Sequence, residues 1–260
     1  NPMDTSSIGS HEMNTSVEIT NLNNDHNSAN NSLNNQFNAN SDYKINGANG
    51  SSVINMNGGE NARDVAKSFN LVTGSTGVSA SVVTRAKIVS ISSGDHFTFT
   101  LQGKDKNASI VNATLSDQNN LTALKDSINS VSTNTGIIAN LTNDNSSIML
   151  TQNEGYNIII GDLTTVTANM VVDAVEKDST GNLVDQNNQR SLDGDATTND
   201  SVSILGQVTL SSSKAFSITS NHSDNHFNTS TTPITSNFVS LNDINLSTQQ
   251  SASNAMARID

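Results

Sequence analysis

Residues 61–80 read NARDVAKSFNLVTGSTGVSA, and residues 120–139 read NLTALKDSINSVSTNTGIIA. The two stretches align without a gap when the first is moved forward by 59 residues, the difference between positions 62 and 121. The aligned pairs are Ala62 with Leu121, Val65 with Leu124, Phe69 with Ile128, Asn70 with Asn129, Gly77 with Gly136 and Ala80 with Ala139. One constant offset across identical and apolar positions indicates two copies of one module.

Each copy contains the apolar spacing of a short amphipathic helix. Apolar residues recur at i, i+3, i+4 and i+7 in the first copy and at i, i+3, i+7 and i+10 in the second, so in each they share one face of a helix, and we expect that face to be buried. The stripe is Ala62, Val65, Ala66 and Phe69 in the first copy and Leu121, Leu124, Ile128 and Val131 in the second.

Strand patterns surround both helices. Residues 43–56 contain two apolar runs on either side of a Gly/Asn-rich turn, which predicts a β-hairpin. Phe97, Phe99 and Leu101 alternate with polar residues, which places three large side chains on one face of a strand. We therefore predict an α+β fold of β-rich tandem modules, each with one short helix packed on a small sheet, joined by long polar loops.

The change in composition along the chain suggests six segments. Residues 1–41 are rich in Asn and are expected to be irregular or mobile, and 176–200 read as a polar insertion. The complete division is 1–41 as the irregular segment, 42–93 and 94–175 as the two β/α modules, 176–200 as the insertion, 201–242 as a returning β-hairpin and loop, and 243–260 as the start of a helix.

Composition excludes several classes of function. The net charge is −12, from 24 acidic and 12 basic residues, and no Lys/Arg cluster is present, which argues against nucleic-acid binding. No apolar run approaches the roughly 20 residues that span a bilayer. The first residues also lack the positively charged and then apolar pattern of a signal peptide. The chain has no cysteine, which excludes disulfides and thiolate chemistry. Hydrophobic residues make up 33% and aromatic residues 3% of the chain, so we expect small cores.

A few residues have the spacing of a binding site, but their surroundings favour solvated turns. His222 and His226 are four residues apart, yet the segment around them shows no helical stripe. Asp193, Asp195 and Asp200 could offer oxygen ligands to calcium, although the terminal Glu of an EF-hand loop is missing. We therefore predict no metal site and no cofactor.

Two further patterns fail to indicate an enzyme. Gly58-Gly59 precedes the first helix without a phosphate-binding pattern and is interpreted as a helix start. The five histidines lie mostly in polar stretches, and no nucleophile-elbow motif accompanies them. We do not expect catalytic activity.

The repeated stretch resembles a known motif. Residues 66–80 and 124–139 are similar to the IN motif of flagellins and some hook-associated proteins, which reads roughly Ala-Ile-Asn, a spacer, Thr-Gly-Val and a small residue. Phe69 stands where the family has Ile, and Ile137 and Ile138 stand where it has Val and a small residue. The motif positions in this chain are Phe69, Asn70, Gly77, Val78, Ala80, Ile128, Asn129, Gly136, Ile137 and Ala139.

The end of the sequence adds to the resemblance. Residues 243–260 are similar to the junction at which a flagellin re-enters its carboxy-terminal core helix. The resemblance implies a structural subunit of the bacterial flagellar filament that supports motility, with these residues forming the outer, solvent-facing domains. It also implies secretion through the flagellar channel without a cleaved signal peptide, and an extracellular location.

The resemblance also implies partners. These are other flagellin subunits, bound mainly through core helices outside this sequence, so we expect this chain alone not to polymerise. The outer surface would act as an antigen and meet antibodies, phage or host surfaces. The alternatives are a hook-associated or filament-cap protein and a carbohydrate-binding adhesin module; the adhesin is disfavoured because the chain has two Tyr and no Trp.

Overall fold

The computed structural model describes residues 9–22, 37, 42–194, 199–221, 226–227 and 232–240. Within this part of the chain, 50% of the residues lie in strands and 13% in four helices. The predicted α+β class is therefore wrong, because the protein is predominantly β. The fold class was predicted wrongly because several strands pair with distant segments and so leave little local pattern in the sequence.

The elements follow one another in this order. The first half contains β1 (Gly9–Asn14), β2 (Ile19–Asn21), β3 (Asp42–Gly47), β4 (Gly50–Asn55), α1 (Ala62–Leu71), α2 (Thr73–Thr76), β5 (Ser79–Ile91), β6 (His96–Gln102), β7 (Ser109–Thr114), α3 (Thr122–Ser130), α4 (Ser132–Thr135) and β8 (Ile137–Leu141). The second half contains β9 (Ile148–Gln152), β10 (Ile158–Thr164), β11 (Asn169–Lys177), β12 (Leu183–Asp185), β13 (Arg190–Asp193), β14 (Val202–Ile204), β15 (Gln207–Ser212), β16 (Ser217–Ser220), β17 (Ile234–Thr235) and β18 (Asn237–Ser240).

The described strands form three antiparallel sheets. A four-stranded sheet has the order β17-β16-β3-β4, and a five-stranded sheet has the order β2-β14-β10-β6-β7. A nine-stranded sheet contains the path β12-β11-β5-β15-β1-β18, with β13 beside β11 and with β9 and β8 extending from β5. The long strand β5 thus joins the regions of the two copies.

The two copies use the same arrangement of elements. Each has a hairpin, a helix, a one-turn helix and a strand: β3, β4, α1, α2 and β5 in the first, and β6, β7, α3, α4 and β8 in the second. In the second copy, β9 pairs with β8 and β10 pairs with β6. In the first copy the corresponding partners are β15, which pairs with β5, and β16, which pairs with β3. The first copy is therefore completed by strands that follow the whole of the second.

Both predicted apolar stripes are confirmed as buried helix faces. Ala62, Val65, Ala66 and Phe69 are the buried residues of α1, and Leu124 and Ile128 are those of α3. Of the other two residues of the second stripe, Leu121 at the N-cap is buried, whereas Val131 at the C-cap is only half-buried against the core. Asn61 caps α1, because its side-chain oxygen accepts a hydrogen bond of 3.0 Å from the Asp64 N–H. The one-turn helices α2 and α4 were not predicted, so each copy has two helical segments and not one.

The buried apolar residues form two clusters. One lies around α3 and contains Phe97, Phe99 and Leu101, as the strand alternation predicts. The other lies around α1, where the rings of Tyr43, Phe69 and Phe227 pack with centroid distances from 5.3 to 6.1 Å. Two small cores replace one large core, in agreement with the low apolar content of the chain.

Strands occupy two segments whose composition suggested none. Strands β1 and β2 lie within residues 1–41, and β12 and β13 lie within residues 176–200, where we predicted a long polar loop. Met13 of β1 lies opposite Leu210, and Leu192 of β13 lies opposite Met170. Strands β1 and β2 pair with segments far away in the sequence, whereas β12 and β13 pair with the nearby β11. Each of the four strands has at most one buried apolar side chain. Residues 243–260, predicted as the start of a helix, lie outside the described residues.

Candidate functional site

Each copy contains an asparagine that joins the end of a helix to the following strand. The Asn70 side chain accepts a hydrogen bond of 2.8 Å from the Ala80 N–H and donates one of 2.8 Å to the Ala80 carbonyl. Asn129 makes the same two contacts with Ala139, at 2.8 and 2.9 Å. We call this reciprocal pair of hydrogen bonds the asparagine clasp.

The chemistry of asparagine explains the clasp. Its side-chain amide offers one carbonyl acceptor and an NH₂ donor, so it can satisfy the N–H and C=O of one strand residue as a neighbouring peptide would. Asn70 and Asn129 both lie one residue before the end of their helices. The clasp therefore fixes the helix against the strand through two bonds that an apolar side chain could not make.

A threonine and a glycine form the turn between helix and strand. The Thr76 hydroxyl donates to the Val72 carbonyl at 2.9 Å and accepts from the Val78 N–H at 3.2 Å. Thr135 makes the equivalent bonds in the second copy, at 3.1 and 3.2 Å. Both threonines are buried, so these bonds satisfy backbone groups that water does not reach.

The glycines at the turn have a left-handed backbone. Gly77 has a φ of 76° and Gly136 has a φ of 68°, a region in which a Cβ atom would crowd the backbone. A second pair of glycines lies at the hairpins. A Cβ atom on Gly47 would lie 2.0 Å from the Thr76 carbonyl oxygen, and one on Gly103 would lie 2.2 Å from that of Thr135. These glycines allow hairpin and turn to come into contact.

The structure places the sequence-predicted motif residues as follows. Phe69, Val78, Ile128 and Ile137 are at most 1% exposed and belong to the two cores. Asn70, Gly77 and Ala80 meet in the first clasp and its turn, and Asn129, Gly136 and Ala139 meet in the second. The sequence analysis missed Thr76, Thr135, Gly47 and Gly103; the Thr-Gly pair that recurs in both copies was a usable signal for the threonines.

The two clasps differ in burial. Ala139 is 1% exposed and Asn129 is half-buried, whereas Ala80 is half-buried and Asn70 is exposed. The hydrogen bonds of the second clasp therefore compete less with water than those of the first.

The loop after β9 connects the two copies. The Arg63 N–H at the start of α1 donates to the Gly155 carbonyl at 3.2 Å, and the Thr84 hydroxyl donates to the Tyr156 carbonyl at 2.7 Å. The Arg63 guanidinium also lies 4.9 Å from the centre of the Tyr156 ring. Gly155 has a φ of 77°, and a Cβ atom there would lie 2.3 Å from Val82. The copies are thus held together by backbone contacts that need a glycine.

Two carboxylates organise turns near the second copy. Asp95 accepts hydrogen bonds from the N–H groups of Val166, Thr167 and Ala168, and these bonds, chiefly that from Thr167, lower its pKa. Asp144, between β8 and β9, accepts hydrogen bonds from the Thr142 hydroxyl and the Ser146 N–H, and these bonds, chiefly that from Thr142, lower its pKa to about 2. Both carboxylates favour the charged form because local donors surround them.

Among the described residues, the remaining candidates form no assembled binding site. His222 and Asp195 lie outside the described residues, so neither predicted ligand spacing can be placed. Gly58 and Gly59 have φ values of 84° and 86° and form the turn before α1. Within the described ranges, no group of three or more His, Cys, Asp or Glu side chains could hold a metal ion. None of the helices there has the length and apolar character needed to cross a bilayer.

Comparison with known protein families identifies a motif in the second copy. Residues 97–154 match the flagellin hook IN motif, which confirms the resemblance for the second copy. No curated protein sequence matches the chain. Among solved structures, it is similar to the flagellar cap protein FliD from Helicobacter pylori, with 12% identity, 84% of this chain and 79% of that chain covered, and a TM-score of 0.22.

A second solved structure is the D1-D2-D3 domains of the flagellar cap protein FliD from Escherichia coli. The identity is 10%, the alignment covers 81% of this chain and 57% of that chain, and the TM-score is 0.23. This chain thus spans less than two thirds of the length of that structure. TM-scores at this level do not establish a common fold.

Proposed function

We propose that this chain is the outward-facing part of a flagellin-type subunit and serves as a structural component of the bacterial flagellar filament. The observation that carries the proposal is the flagellin hook IN motif at residues 97–154. The same clasp and turn recur around Asn70, which supports a second copy of the motif at an offset of 59 residues from Asn129.

The geometry suits a mechanical role. Hydrogen bonds from Asn, Thr and backbone groups fix each helix to its sheet, and the loop at Gly155 fixes one copy to the other. Such contacts hold a shape and do not expose a reactive group. The net charge of −12 favours a hydrated surface, as expected of domains that face the surrounding medium.

The proposal assigns a place and partners. The chain would be exported to the exterior, where two motif modules would lie on the filament surface, one built on residues 42–93 and completed by β15 and β16, and the other built on residues 94–175. Other copies of the subunit would be its assembly partners, through helices outside this sequence. Antibodies, phage and host surfaces would meet the same exposed modules.

Immunogold electron microscopy of cells that produce the full-length parent protein tests the proposal. An antibody raised against this chain should label filaments along their whole length. Cells carrying a deletion of the parent gene are the control and should show no label. Absence of label from flagella in producing cells would refute the proposal.

The position of the label separates the main alternative. The matched family is the flagellin hook IN motif, so the same match would be expected if the chain belonged to a hook-associated or cap protein. Gold restricted to the hook junction or to the filament tip would assign the chain to that alternative.

A further inference from the structure

The sequence contains three Asn-Gly pairs, and all of them lie in the first copy: Asn46-Gly47, Asn49-Gly50 and Asn57-Gly58. In such a pair the backbone nitrogen of the glycine can attack the side-chain amide carbon of the asparagine. Glycine has no Cβ atom, so it leaves that approach open. The three pairs therefore share one intrinsic reactivity, and their surroundings decide which of them reacts.

The first two pairs are held in the β3–β4 hairpin. Gly47 and Gly50 lie opposite each other at the end of its ladder. Asn46 is half-buried in β3, and its side-chain amide donates to a hydroxyl of β16 at 3.4 Å. The Asn49 N–H donates to the Thr76 carbonyl at 3.3 Å. Either asparagine would have to leave these contacts before the glycine nitrogen could reach its side chain.

The third pair lies outside the strands and helices, in the segment between β4 and α1. Asn57 is exposed, and its side chain has no hydrogen-bond partner among the described residues. The Gly58 N–H also has none in the described part of the chain, and its φ of 84° is one that only glycine adopts readily. Both reacting groups are therefore accessible without the loss of a described hydrogen bond.

We propose that Asn57 is a site of spontaneous deamidation, with water as the only co-reactant. The Gly58 nitrogen loses its proton to the solvent and bonds to Cγ of Asn57, while the Cγ–Nδ2 bond breaks and Nδ2 takes up a proton and leaves as ammonia. Water then opens the succinimide ring. Cleavage of the new N–Cγ bond gives Asp, and cleavage of the original peptide bond to Gly58 gives isoaspartate. Each event consumes one water, releases one ammonia and adds one negative charge at neutral pH.

The modification changes the turn that holds Phe37 in the first core. The Asn57 N–H donates to the Glu60 carboxylate at 2.8 Å. Glu60 and Gly59 hold Phe37 in turn, through backbone bonds of 3.1 and 3.2 Å, and Phe37 is 1% exposed. Isoaspartate adds one carbon to the backbone at position 57, and the new carboxylate is repelled by that of Glu60. Deamidation therefore loosens the turn and the attachment of Phe37 to it.

Incubation of the folded 260-residue chain in neutral or mildly alkaline buffer, followed by brief tryptic digestion and tandem mass spectrometry, tests the site. All three pairs fall in one tryptic peptide, residues 45–63, so their reactions are compared within one molecule. Asn57 should deamidate about tenfold or more faster than Asn46 and Asn49, because those two must first open locally. Asn55, which is exposed but followed by Met56, is the internal control and should stay unmodified.

The chain unfolded in guanidinium chloride is the matched comparison. There the three pairs should react at similar rates, because only the folded structure distinguishes them. Asn57→Gln keeps an amide but requires a larger ring, so it should fold normally by circular dichroism and stay unmodified at this position. An Asn57 that remains intact in the folded chain, or an Asn46 or Asn49 that reacts as fast, would overturn the inference.

Hydrogen exchange of the modified chain, separated by ion exchange through its added charge, tests the effect on Phe37. The Gly59 amide donates to the Phe37 carbonyl and should exchange faster after modification, whereas the Ala139 amide in the second clasp should be unaffected. Unchanged exchange at Gly59 would refute the loosening of the turn. Neither measurement depends on where the antibody labels flagella, so this inference and the proposed function can fail separately.

Discussion

Replacing the two clasp asparagines by alanine should have unequal effects on stability. Asn129→Ala leaves the N–H and C=O of Ala139 without partners in a place that is 1% exposed. Leaving a buried polar group unpaired costs about 1–3 kcal/mol, so two such groups imply a loss of about 3 kcal/mol after partial access of water. Asn70 is exposed and Ala80 is half-buried, so water can replace the side chain there, and we expect a loss of about 1 kcal/mol.

Comparing the two alanine variants removes a contribution to stability that both share. Alanine is a better helix former than asparagine by roughly 0.5 kcal/mol, and this gain applies equally to both variants because both residues lie one position before a helix end. The difference of about 2 kcal/mol between the variants therefore reports the burial of the clasp.

Urea unfolding followed by circular dichroism measures the two losses, and amide hydrogen exchange locates them. The Ala139 amide should lose protection in Asn129→Ala, and the Ala80 amide should lose protection in Asn70→Ala. Asn129→Asp keeps the acceptor for the Ala139 N–H but places a carboxylate against the Ala139 carbonyl, so its loss should diminish when the carboxylate is protonated. Equal losses in the two alanine variants, or unchanged protection of Ala139, would refute the reasoning.

Three further predictions concern the helix face, the turn and a carboxylate. Leu124→Ala should cost about 2–5 kcal/mol in urea unfolding because Leu124 is 0% exposed, whereas Leu71→Ala, at a site 78% exposed, should change stability little. Gly136→Ala should destabilise by about 1–2 kcal/mol because of its left-handed backbone, while Gly74→Ala, with open space around the added Cβ, should stabilise by about 0.4–1 kcal/mol. In a thermal melt, a higher Tm for Gly136→Ala or a lower Tm for Gly74→Ala would contradict this account. The pKa of Asp144 in the folded state lies below its ordinary value of 3.8. The stabilisation that its carboxylate gives to the folded state should therefore be complete above about pH 4 and be lost as the pH falls towards 2. An NMR titration midpoint near 3.8 would contradict that assignment.

The parts of the fold that depend on nearby residues were predictable. The stripes of α1 and α3 and the alternation of Phe97, Phe99 and Leu101 arise from local periods, and the structure confirms them. Strands β1 and β2 were missed because their partners are far away in the sequence. Strands β12 and β13 pair with the nearby β11, but they are only three and four residues long and lie in a polar segment, so no apolar period marks them. These missed strands also made the predicted fold class wrong.

The candidate site divides in the same way. The repeat singled out Asn70 and Asn129, whose identity is preserved between the copies, but it could not show which backbone groups they bind. Gly47 and Gly103 escaped notice because their role is to let a carbonyl approach from a turn about thirty residues further along the chain, as the close Thr76 and Thr135 oxygens show.

The second clasp also blocks the free edge of strand β8 from pairing with another strand. Strand β8 pairs with β9 on one side, and on its other side Asn129 occupies both backbone groups of Ala139 while Thr135 accepts the N–H of Ile137. An unprotected strand edge is a template for sheet growth between molecules. At high local concentration, edge strands of different copies could pair and cause aggregation. Here the side chains of Asn129 and Thr135 occupy the backbone groups at this edge of β8 and so prevent such pairing.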